Sequence, residues 1–109
     1  MAFYKERDGK IEILFPVSDV DAVNGSEMKD YISKIADEVS AVIINFSRVT
    51  YLNSSGLREL IQILKLLQDK GKKLYITFLS DSIKKIFANT NLIKIFSIYP
   101  TDEDAKRAI

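Results

Sequence analysis

No cysteine and no histidine occur in these 109 residues. Without cysteine there is no disulfide framework, no thiol nucleophile and no thiolate metal site. Without histidine, the commonest general base near neutral pH and the commonest zinc ligand are missing as well. Catalysis would have to rest on carboxylates, lysines or a metal held by oxygens, and no convergent carboxylate set stands out. Asp19 and Asp21 form only a lone pair in a polar connection, which falls short of an oxygen cage for a cation. An enzyme is therefore not the expected class: no catalytic residue is assigned, and neither a metal nor a cofactor is expected.

An excess of charge of one sign is also lacking. Sixteen Lys and Arg against fifteen Asp and Glu leave a net charge of +1. A duplex-binding domain carries a clear basic excess to displace counterions, so no nucleic-acid partner is expected. No apolar run approaches the length of a membrane span, and Lys5-Glu6-Arg7-Asp8 is unlike the start of a secretory signal. No membrane association is expected, and the cytoplasm is the expected location. Neither G-x-G-x-x-G nor G-x-x-x-x-G-K-[ST] occurs, so no nucleotide loop is supported. Internal repeats, low-complexity tracts and linkers are absent too.

What is present suits one folded domain over residues 1–109: 47% hydrophobic and 28% charged residues in a chain long enough to bury a core. Phe3 to Arg7 and Lys10 to Phe15 read as strands joined by Asp8-Gly9, a pair suited to a type I′ turn, with Pro16 closing the second strand. Ile11, Ile13 and Phe15 alternate with Glu12, as in a strand with one buried face. Val17 to Val23 reads as a polar connection. Asn24 and Glu27 then resemble a capping box ahead of a helical stripe of Met28, Tyr31, Ile32, Ile35, Ala36 and Val39. Ala41-Val42-Ile43-Ile44 is apolar without alternation, as in a central strand covered on both faces. Leu57, Leu60, Ile61, Leu64 and Leu67 make the clearest helical stripe, with Arg58, Glu59, Gln62 and Lys65 on its other side and Gly71 placed to stop it. Lys70, Lys72 and Lys73 complement that helix's carboxyl end.

Leu74 to Leu79 is a third apolar strand run. Ser80 or Ser82 caps a short helix bearing Ile83, Ile86 and Phe87, with Asn89 as its stop. Leu92 to Tyr99 reads as a turn and an edge strand, and Thr101-Asp102-Glu103-Asp104 opens a last helix. Strands alternating with helices predict an α/β fold, a mixed sheet of four to five strands with an N-terminal hairpin, flanked by about four helices.

The chain is organised around Val49-Thr50-Tyr51-Leu52-Asn53-Ser54-Ser55-Gly56-Leu57. Two hydroxyls and a glycine at the mouth of a helix put free backbone N–H groups and a positive dipole end beside a modifiable oxygen. From spacing alone, Ser54 and Ser55 read as helix caps and Gly56 as a site of close packing.

Taken with the order of elements, Val42 to Leu57 resembles the signature of the STAS domain, specifically of anti-sigma-factor antagonists, in which an apolar strand leads to Asp-Ser-Ser-Gly-Leu at a helix start. The resemblance runs over nearly the whole chain: Asp21-Ala22-Val23-Asn24 is similar to the family's Asp-containing connection, and Leu92 to Thr101 to its closing strand and turn. It implies a switch with two partners, an anti-sigma factor that is also a serine kinase, and a phosphatase. Ser54 would be the phosphoacceptor. Ser55 and Gly56 would shape the loop, Leu57 would anchor the helix, and Asp21 and Asn53 would border the serine on the partner-binding surface. The free antagonist would capture the anti-sigma factor and release the sigma factor, acting as a monomer or weak dimer. A STAS-type domain that binds a small ligand or serves as a scaffold is the alternative. Asn stands at 53 and at 45, where the family commonly has Asp; the amide keeps the size and hydrogen-bond reach but lacks the charge.

Overall fold

The computed structural model describes residues 3–109 and begins in the expected hairpin, Phe3–Asp8 (β1) antiparallel to Ile11–Pro16 (β2). The first two positions of the expected 1–109 domain lie outside the described residues. The turn is Gly9-Lys10 rather than Asp8-Gly9, since Asp8 stays paired opposite Ile11. Of the two turn residues only Gly9 has a positive φ, +60°, which is the glycine-first geometry of a type II′ turn. Asp8 is also held by Lys106 Nζ at 2.9 Å.

The chain continues through Ser18–Val20 (β3), Ala22–Ile35 (α1), Ala41–Asn45 (β4), Val49–Leu52 (β5), Ser54–Asp69 (α2), Lys73–Thr77 (β6), Asp81–Asn89 (α3), Ser97–Tyr99 (β7) and Asp102–Arg107 (α4). Single 3₁₀ turns lie at Ala36–Glu38 and Leu92–Lys94. The main sheet has the order β1-β2-β4-β6-β7, parallel except for β1, and β3 pairs with β5 in a separate parallel ribbon. The ribbon puts a short strand where Val17 to Val23 reads as a polar connection. β5 carries the β-favouring Val49, Thr50 and Tyr51 but no alternation, and β3 has no strand pattern; each supplies the other's hydrogen bonds, Val20 lying opposite Leu52.

All five residues of β4 are buried, which accounts for its lack of alternation. Val42 and Ile44 face the core shared with α1, α2 and α3, while Ala41 and Ile43 join Ile13, Tyr75 and Ala105 of α4 on the opposite face. Two-sided cover also corrects the reading of Glu12, which is buried rather than on a polar face. Its carboxylate accepts hydrogen bonds from Arg7 and from the Tyr31 hydroxyl of α1, so a charge is removed from water only with partners in place.

The α2 stripe buries Leu57, Leu60, Ile63, Leu64 and Leu67, each contributing about 1.5–3 kcal/mol of transfer free energy. Gly71, at φ +72°, follows the helix end as expected. Glu59 and Gln62 do not face solvent. Lys29 of α1 lies 2.9 Å from Glu59 Oε1 and 2.6 Å from Gln62 Oε1, and a Cβ at Gly25 would fall 2.5 Å from that of Glu59. The missing side chain at Gly25 lets α1 and α2 pack closely, with their N-termini side by side.

Ser80 and Thr101 cap α3 and α4, accepting from Ile83 N–H at 3.3 Å and Asp104 N–H at 3.2 Å. α3 ends at Asn89 as expected, although the left-handed residue of its exit is Asn91, at φ +61°. β6 stops at Thr77, because Phe78 turns the chain out of the sheet with φ +57°.

Candidate functional site

At the carboxyl end of the parallel strands, the ribbon carries the chain into two helices at once. Val20 leads into Asp21 and α1, and its ribbon neighbour Leu52 leads into Asn53 and α2. Both helices are capped by the residue just before them. Asp21 accepts the Asn24 N–H at 2.9 Å, and Asn53 accepts the Gly56 N–H at 2.8 Å. Two sequence expectations are corrected here. Asn24 does not cap α1 but lies inside it, its side chain donating to Asp19 O at 2.6 Å. Ser54 and Ser55 do not cap α2 but occupy its first two positions. The ribbon decides both: it keeps Asp21 and Asn53 extended, as a cap requires.

The two helix starts touch. Asn53 N–H donates to Val20 O at 3.3 Å. A side chain at Gly56 would collide with the Val20 carbonyl, reaching 2.6 Å from its carbon and 3.1 Å from the Asp21 nitrogen. Gly56 therefore serves close packing, as its place in the first helical turn suggested. Leu57 is buried in the main core and anchors α2 there.

Ser54 is exposed and Ser55 half-buried. Among the described residues the Ser54 hydroxyl has no hydrogen-bond partner, and neither the Ser54 nor the Ser55 N–H has an acceptor in the protein. An unengaged hydroxyl thus stands beside two free N–H groups at the positive end of a sixteen-residue helix. Arg58, exposed and one turn further on, lies at the i,i+4 spacing that lets side chains meet. Val23, in the first turn of α1, and Tyr51, near the end of β5, are exposed at 65% and 57%. Neither exposure has a sign in the sequence, since it depends on what the neighbouring elements leave uncovered.

A second polar arrangement was also missed. Asp102, the first residue of α4, accepts from Asn45 Nδ2 at 2.9 Å and from Thr77 Oγ1 at 2.5 Å. Asn45 Oδ1 in turn accepts the Ser47 N–H at 2.8 Å. Asn45 and Thr77 are buried and end the two adjacent strands β4 and β6, so this network pins the loop that leaves β4 toward Ser54. The sequence signs were the amide at Asn45 and the acid at the start of the last helix.

The STAS domain family matches residues 3–105. Among solved structures, a Thermotoga maritima protein superposes with a TM-score of 0.89 at 20% identity, covering 98% of this chain and 93% of that one. An anti-sigma factor antagonist from Mycobacterium paratuberculosis gives 0.84 at 25% identity, covering 98% and 92%. The Bacillus cell fate determinant SpoIIAA in its phosphorylated form gives 0.75 at 19% identity, covering 99% and 100%.

Proposed function

Since the chain belongs to the STAS domain family, we propose that it is an anti-sigma-factor antagonist, switched off by phosphorylation of Ser54. Its partners are an anti-sigma factor acting as serine kinase and a phosphatase that restores the free hydroxyl. It works as a protein switch in the cytoplasm rather than as an enzyme, and so regulates sigma-factor-dependent transcription. Asp21, Asn53, Ser54, Ser55, Gly56 and Leu57 form the partner surface or its support.

One observation carries the reading: Asn53 fills the cap of α2, leaving the exposed Ser54 hydroxyl with no structural duty. A phosphoserine adds roughly −1.5 to −2 charges at neutral pH. At the first position of α2 the free N–H groups and the helix dipole accommodate that charge, with Arg58 in reach. A partner docked over the neutral hydroxyl would meet a desolvated dianion instead. The penalty falls on binding and spares the fold.

The test is incubation with ATP and candidate anti-sigma kinases from the same organism, followed by phosphosite mass spectrometry and pull-down. Modification at Ser54, with partner capture lost in Ser54→Asp and kept in Ser54→Ala, is the expected result. Both variants should melt within a degree or two of the parent, since surface changes of this kind shift stability by about 0.5 kcal/mol or less. Capture indifferent to both substitutions would leave the scaffold or ligand-binding alternative in its place.

A further inference from the structure

Phe78 is a residue whose position the fold does not explain. Its backbone is left-handed, φ +57°, a conformation that is strained for a bulky side chain and relaxed for glycine. The residue is 40% exposed, so burial offsets the strain only in part. The backbone by itself favours glycine or asparagine at this position, and backbone outliers of this kind gather at binding sites.

The ring borders a groove of about 380 Å³ between the start of α3 and the carboxyl end of β7, lined by Phe78, Leu79, Lys84, Ile98, Tyr99 and Pro100. That volume falls in the range of small-molecule sites. Five of the six lining residues offer apolar or aromatic surface, and the sole charge is the Lys84 ammonium. Among the described residues Lys84, like most of the lysines, has no carboxylate within 4.0 Å, so its charge is open to an anion in the groove. Carboxyl ends of parallel strands are also where open α/β sheets bind ligands.

We infer that this groove binds a small organic anion with an aromatic or branched apolar body, its ring or chain against Phe78, Ile98 and Tyr99 and its negative charge on Lys84 Nζ. A ligand covering the Phe78 ring would supply the burial that the free protein lacks. The monoanion matches the one cation of the lining, and the aromatic Phe78 and Tyr99 suit a ring. None of the lining residues belongs to the Ser54 site, and the inference does not rest on the switch reading.

Two probes test it, anilinonaphthalene sulfonate by fluorescence and phenylpropionate by amide chemical shifts in nuclear magnetic resonance. Shifts confined to residues 78–84 and 97–100, with Lys84→Gln weakening both probes about tenfold, are expected. Phe78→Gly should abolish binding of both probes, because it removes the ring they pack against, while a cooperative melt shows that the variant stays folded. Binding elsewhere on the surface, probes indifferent to Lys84→Gln, or a Phe78→Gly protein that binds both probes unchanged would each overturn the proposal. So would a groove that takes neither probe while Phe78→Gly weakens capture of a protein partner, which would make it a protein-docking anchor instead.

Discussion

Asn45 ends the central strand with its amide nitrogen 2.9 Å from Asp102 Oδ2. An aspartate in its place would set two carboxylates at hydrogen-bond distance, and one of them would have to hold a proton. This gives the amide at 45 a reason within the chain, since α4 already brings the carboxylate to this point. Asn45→Asp is expected to lower stability by about 2 kcal/mol or more at neutral pH, measured by chemical denaturation. Adding Asp102→Asn should recover most of that loss. The shared carboxyl group of the single variant would titrate at a raised folded-state pKa, so its deficit should shrink as pH falls through that value. Nothing near residue 45 in the sequence announces this pairing, because the partner lies 57 positions away.

Among the elements, α2 was the most legible and its first turn the least. The repeat of Leu57, Leu60, Leu64 and Leu67 can serve only a helix with one buried side, and those residues are buried. Its cap depended on where β5 would hold the chain extended, which follows from pairing with β3. Helix-cap chemistry then separates neighbouring residues. Asn53→Ala should cost about 1 kcal/mol in urea denaturation, through loss of the Gly56 N–H bond. Ser54→Ala should change stability by no more than a few tenths. Equal losses at the two positions would mean that the serine shares the cap.

For the molecule as a whole, the charges on β1 protect the first edge of the sheet. Lys5 and Arg7 stand opposite Leu14 and Glu12 on the α1 face, while Glu6 and Asp8 stand opposite Ile13 and Ile11 on the other. Residues directly opposite in an antiparallel pair share a face. Two β1 edges joined about a twofold axis would therefore set cation against cation or acid against acid. The other edge, β7, is three residues long and is followed by Pro100, a protection typical of natural sheet edges. Sedimentation velocity should accordingly show a single species near 12.4 kDa.

Burial, and next its bond to Glu12, push the Tyr31 hydroxyl from 10.0 up to about 12, and burial also raises Tyr75. Pairing with Asp8 raises Lys106. Each group holds its proton more tightly in the folded state, so its contribution is complete below the unfolded value and is lost as pH rises through the folded one. Stability should thus fall between about pH 10 and 12. Tyr31→Phe should flatten that fall in denaturation curves taken across the window, and an unchanged slope would remove Tyr31 from the account.

Periodicity and run length by themselves determined the α/β class, the N-terminal hairpin, the buried central strand and the amphipathic helices, because those features depend on how neighbouring residues share one face. The motif at Asn53 to Leu57 likewise marked where a helix would start with an accessible hydroxyl. Only the tertiary structure decided the β3–β5 ribbon, the caps at Asp21 and Asn53, the inward turn of Glu12 and Glu59, and the Asn45–Asp102–Thr77 network. Each of these depends on a hydrogen-bond or ion-pair partner from another element, and such a partner has no address in the local sequence until the chain is folded.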